Sequence, residues 1–111
     1  MKFNTDKYKL SLFTELECED CIKLKEQLTL EGVPFHNRCI TANTPNGLIK
    51  ENNENRWDFV DADRDNPGKI KFTPVMILED TEGNVEYLSA GAAFETVEEA
   101  LTILEEKYSK S

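Results

Sequence analysis

Cysteine is scarce in this 111-residue chain: there are three, an odd number, with no framework of pairs. A chain of this length buries a single core without disulfides or a structural metal, so the few cysteines point to chemistry rather than to scaffolding. Long apolar runs are missing, and nothing approaches the ~20 residues of a membrane span. Met1 to Lys7 lacks the apolar stretch of a signal peptide, so a cytoplasmic protein is expected. Positive charge is short as well. Thirteen lysines and arginines stand against 22 aspartates and glutamates, a formal net charge of −9. No basic cluster is available to displace counterions from a phosphate backbone or to hold an anionic bilayer. Nucleic acid and membranes are therefore not expected as partners. Internal repeats, low-complexity tracts and composition breaks are also lacking, which leaves one domain over residues 1–111.

The apolar residues that are present fall into elements. Lys9 to Thr14 alternates apolar and polar and reads as a strand. From Cys18 to Glu31, Cys21, Leu24 and Leu28 recur at helical spacing, with Gly32 and Pro34 as stop signals. Phe35 to Ile40 is a second strand. Residues 41–56, with Pro45 and Gly47, read as a loop leading into a weak helix that includes Leu48 and Ile49. Trp57 to Val60 either continues that helix or forms a short strand. After the turn signal Asp65-Asn66-Pro67-Gly68, Phe72 to Leu78 reads as a loop entering a buried strand. Thr81 to Asn84 is a hairpin turn, Val85 to Ser89 the return strand, and Gly91 a break. Thr96-Val97-Glu98-Glu99 has capping-box spacing. The helix behind it places Val97, Ala100, Leu101, Leu104 and Tyr108 on one face. The expected order is β-α-β-α-β-β-α, an α/β chain with a mixed four-stranded sheet flanked by helices.

Cys18 and Cys21 form a Cys-x-x-Cys pair between the first strand and the first helical turn, while Cys39 stands apart. Unpaired N–H groups and the helix dipole stabilise a thiolate at a helix N-terminus. That gives Cys18 as attacking thiol and Cys21 as resolving thiol. Two inert buried cysteines are the bland alternative. A third is a Cys3His zinc set, adding His36 and Cys39. Strand geometry opposes it, because residues three apart point to opposite faces. Taken alone, Cys39 reads as a small core residue and His36 as a surface or strand-edge residue. Glu15, Glu17, Glu19 and Asp20 crowd four acids around Cys18. They cap the helix and solvate its face; they also disfavour a thiolate and repel anions.

Leu10-Ser11-Leu12-Phe13-Thr14 before Cys18-Glu19-Asp20-Cys21, then Glu31-Gly32-Val33-Pro34-Phe35, and later Phe72-Thr73-Pro74-Val75-Met76-Ile77 with the closing helix after Gly91, together resemble the thioredoxin-like superfamily. Within it the chain resembles the glutaredoxins, and the small bacteriophage glutaredoxins and thioredoxins above all. The resemblance spans nearly the whole chain. It implies a cis peptide bond at Pro74, packed beside the cysteines, with the Thr73 backbone turned to the substrate as in β-augmentation. Gly91 would fall in the family's glutathione-binding region. The resemblance also implies a disulfide-containing protein substrate, for which ribonucleotide reductase is one candidate client, and recycling by a flavoprotein reductase or by glutathione.

Three departures stand out. Glu19-Asp20 replaces the family's common apolar pair, Glu15 its common lysine, and Ala90 to Thr96 matches only part of its glycine-pair motif. The dithiol chemistry is expected to survive these changes, with no tightly bound cofactor, no metal, glutathione as reductant at most, and a monomer meeting a basic protein. Cluster binding through glutathione is disfavoured by the second cysteine. Outside enzymes, the alternative is a thioredoxin-fold module that binds a basic partner with little turnover.

Overall fold

The computed structural model describes residues 1–41, 43–44, 47–48 and 50–110, with the backbone alone for 43–44, 47–48 and Lys50. Strand β1 runs over Tyr8–Thr14, helix α1 over Glu19–Leu30 and strand β2 over His36–Cys39. Two short strands follow, β3 (Asn43–Thr44) and β4 (Gly47–Leu48), and then helix α2 (Lys50–Asp65). Strands β5 (Phe72–Asp80) and β6 (Val85–Ala90) form a hairpin, and helix α3 (Val97–Lys107) closes the chain.

The main sheet has the order β2-β1-β5-β6. β1 and β2 are parallel, as the intervening α1 crossover requires. β1–β5 and β5–β6 are antiparallel, so the sheet is mixed. β5 is central and carries five consecutive buried residues, Pro74 to Leu78. A strand buried on both faces loses the usual alternation, and helices on both sides account for it here. Leu10, Leu12, Met76 and Leu78 pack with Leu24 and Leu28 of α1 and with Val97, Ala100 and Leu104 of α3. On the other face, Phe13, Val75 and Ile77 pack with Ala62 and Phe59 of α2. Each large side chain buried in this way contributes about 1.5–3 kcal/mol.

Several boundaries differ from the sequence-based expectations. The helix expected within residues 41–56 is present, but what precedes it is not all loop. The first part of this segment holds the two-residue β3–β4 ladder, and α2 then starts at Lys50 and continues through Trp57–Val60. Leu48 lies in β4 rather than in the helix, while Ile49 and Pro45 lie outside the described residues. β5 begins at Phe72 itself, so the segment from Phe72 to Leu78 is strand from its first residue. The capping box at α3 is half formed. Thr96 Oγ1 accepts from the Glu99 N–H (3.1 Å), but the Glu99 carboxylate accepts from Glu95 N–H (2.9 Å) instead of from Thr96. Among the described residues no helix is long and apolar enough to cross a membrane.

Candidate dithiol site

Cys18 is the N-cap of α1, with extended backbone (φ −92°, ψ 106°). Such a position usually takes Ser, Thr, Asp or Asn, whose oxygen accepts a helix N–H. Here Sγ does so: the Cys21 N–H donates to Cys18 Sγ at 3.1 Å. Glu17, just before it, has left-handed backbone (φ 62°), a costly conformation for a residue with a Cβ, and it turns the chain from β1 into the helix. The Leu16 N–H donates to Thr41 Oγ1 (2.9 Å), which ties this turn to the chain beyond β2. Cys18 and Cys21 are joined as a disulfide with a Cα–Cα distance of 5.2 Å. Cys18 is half-buried and Cys21 fully buried. An incoming reagent therefore meets Cys18 first.

The start of β5 faces this sulfur. The Thr73–Pro74 peptide bond is cis, as the resemblance implies, and Pro74 is buried. The Thr73 carbonyl oxygen lies 3.8 Å from Cys18 Sγ and the Thr73 hydroxyl 3.7 Å from it. A disulfide sulfur carries no proton, so these are contacts in the oxidised pair; a reduced Cys18 thiol could donate to either oxygen. Thr73 Oγ1 also donates to Glu15 Oε1 at 3.0 Å. Behind Thr73 sits Ser89, fully buried. Its Oγ accepts from the Lys71 N–H (3.0 Å) and lies 2.8 Å from the Phe72 carbonyl oxygen to which it donates. The β5–β6 register shifts between Phe72 and Val75, and Ser89 supplies the hydrogen bonds that the irregular ladder leaves open. Gly91 has φ +83°, and a Cβ there would come within 2.6 Å of the Phe72 ring. Gly91 thus lies against the residue preceding Thr73.

No family model, curated protein or solved structure matches the chain. What the site can do follows from its own residues.

Two electrostatic influences act on Cys18 in opposite directions. Glu15, Glu17, Glu19 and Asp20 are all exposed. In water a unit charge 4 Å away is worth about 1 kcal/mol, and salt screens it within about 8–10 Å. A hydrogen bond from a backbone N–H to a charged acceptor contributes about 1.5–3 kcal/mol. The N-terminal hydrogen bond and the summed charge of the acids are thus of similar size and opposite sign. Lys23, in the next turn of α1, is engaged elsewhere. Its ammonium donates to Glu98 Oε1 (2.6 Å), which raises the lysine above its ordinary pKa and lowers the glutamate below its own.

Cys18, Cys21, Thr73, Pro74 and Gly91 are thus brought to one end of the sheet. His36 and Cys39 are not part of that set. His36 is exposed on the edge strand β2, and Cys39 is free and half-buried, in register with Thr14. Among the described residues no group of three or more His, Cys, Asp or Glu converges to hold a metal. A cavity of about 470 Å³ lined by Tyr8, Asp80, Glu86 and Tyr108 takes none of the dithiol residues. Sequence reasoning passed over Ser89 and the Glu15–Thr73 hydrogen bond. Both link residues far apart in the chain, and no local pattern announces them.

Proposed function

We propose that this chain is a thiol–disulfide oxidoreductase of thioredoxin-like fold that reduces protein disulfides through Cys18 and Cys21. The supporting observation is the half-buried Cys18 Sγ, which caps α1, accepts the Cys21 N–H at 3.1 Å and lies against Thr73. The reduced Cys18 thiolate attacks one sulfur of a substrate disulfide. A Cys18–substrate bond forms, the substrate S–S bond breaks, and the departing thiolate takes up a proton. Cys21 then loses its proton and attacks Cys18 Sγ. The Cys18–Cys21 bond forms and the second substrate thiol leaves. The substrate gains two electrons, and the protein returns to the disulfide state. A flavoprotein reductase or glutathione resupplies the electrons.

The surroundings favour a polypeptide over a small anion as partner. Leu16 and Phe72, 57% and 66% exposed, belong to the segments that carry Cys18 and Thr73. The four acids beside Cys18 complement a basic protein surface and steer its approach. A monomer acting in the cytoplasm on a protein such as ribonucleotide reductase fits this picture, with no tightly bound cofactor. Turnover of a protein disulfide such as that of insulin, with a thiol reductant, tests it. Wild type is expected to accelerate reduction well above the uncatalysed rate, and Cys18→Ser to lose that acceleration entirely. Equal rates for the two proteins would remove Cys18 as the nucleophile.

A further inference from the structure

Resting on the dithiol reading above, we propose that Glu15 is a positioning residue that keeps the Cys18–Cys21 pair strongly reducing, by holding the Thr73 hydroxyl proton away from Cys18. The hydroxyl has one hydrogen and two candidate acceptors: Glu15 Oε1 at 3.0 Å and Cys18 Sγ at 3.7 Å. A carboxylate is a strong acceptor at the shorter distance, so the proton stays with Glu15. The lone pairs of the hydroxyl oxygen are then free to face the sulfur. A disulfide sulfur needs no donor there, whereas a thiolate does. Glu15 thus withholds stabilisation from the reduced, ionised state and leaves the oxidised state untouched. A reduced form stabilised less gives a lower reduction potential, the opposite of the arrangement in strongly oxidising dithiols.

Other charged residues lie on the segments that carry Cys18 and Thr73 and on the elements beside them. Glu17, Glu19 and Asp20 lie on the Cys18 segment and act by charge alone. Just before β5, Lys71 is exposed and two residues from Thr73; on α3, Glu98 is already paired with Lys23. Among the described hydrogen bonds, Glu15 is the acid that shares the Thr73 hydroxyl. Glu15 is therefore distinguished from its acidic neighbours by what it does to Thr73.

The test equilibrates the purified full chain with reduced and oxidised dithiothreitol at pH 7 and reads the disulfide fraction by thiol labelling and mass. In this exchange dithiothreitol gives two electrons and two protons, closes its own ring disulfide, and the Cys18–Cys21 bond opens to two thiols. Glu15→Gln and Glu15→Ala are each expected to favour the dithiol by about threefold to tenfold, or about 15–30 mV upward. Ala is expected to exceed Gln, because the glutamine amide oxygen still accepts the hydroxyl proton. In a Thr73→Val background the two variants converge, while a Thr73→Ser background, which keeps the hydroxyl, preserves their difference. At about 1 M salt the charge contribution shrinks and the Ala–Gln difference persists. Glu15 variants within twofold of wild type overturn the proposal. So does an Ala–Gln difference that survives Thr73→Val, or the absence of any such difference with Thr73 in place. The two layers fail separately. A pair that equilibrates normally but reduces no protein disulfide removes the dithiol reading alone. An active enzyme whose Glu15 variants keep its potential removes only the role of Glu15.

Discussion

Ser89 shows how much a single hydroxyl can hold. It is fully buried, accepts from Lys71 N–H and donates to the Phe72 carbonyl, where the chain enters β5 just before Thr73. Removing it leaves a part-buried donor and acceptor without their partner, at a cost of about 1 kcal/mol. Ser89→Ala is expected to lower the denaturant midpoint accordingly, with an unchanged slope. An unaltered midpoint would mean that the irregular ladder is satisfied by other groups. Cys18 and Cys21 were legible because their spacing at a strand–helix junction is a local signal, and the place of Pro74 was implied by the family resemblance. Ser89 was neither. Its importance arises from a register shift between two strands, and a polar residue at the end of a strand pattern looks like any edge position.

Helix α2 was the least legible element. Its inward face carries Asn52, Asn55, Phe59 and Ala62, so helical spacing is present but half of it is polar. Asn55 accepts from Arg38 Nε (3.0 Å) and donates to the Cys39 carbonyl (3.1 Å); Asn52 donates to the Thr41 carbonyl (2.9 Å). The helix is fastened to the end of β2 by amides as well as by an apolar stripe. Meanwhile Trp57, the largest apolar residue of the helix, is 68% exposed. Hydrophobic periodicity therefore points the wrong way here. Asn55→Ala is expected to cost about 1–3 kcal/mol by orphaning its buried partners, whereas Trp57→Ala stays within about 0.5 kcal/mol, as exposed substitutions do. Thermal or denaturant unfolding of the two variants checks the order, and a larger loss at Trp57 would contradict it. By contrast, α1 and α3 were read closely from their sequences, because Leu24, Leu28, Val97, Ala100 and Leu104 form conventional apolar faces.

Taken together, the chain is an α/β layer structure whose sheet order, β2-β1-β5-β6, sets the parallel β1–α1–β2 unit beside the β5–β6 hairpin. That juxtaposition brings Cys18 at the end of one unit against Thr73 at the start of the other, 55 residues later. The fold class and element order were largely readable from alternation, helical spacing and turn signals. The β3–β4 ladder was not, because two-residue strands carry no periodicity. The net charge of −9 sharpens into a local statement: four of the acids flank Cys18 in sequence, and one of them, Glu15, accepts the Thr73 hydroxyl proton.

Trapping the half-reaction separates the two cysteines cleanly. Reduced Cys21→Ser protein, mixed with a basic peptide containing a disulfide, should stop at a stable mixed disulfide. Peptide mapping by mass spectrometry should place the adduct on Cys18, with the free Cys39 unmodified. Wild type under the same conditions should release both peptide thiols and show an internal Cys18–Cys21 disulfide. An adduct on Cys39, or no adduct while wild type still turns over, would contradict a mechanism that begins at Cys18.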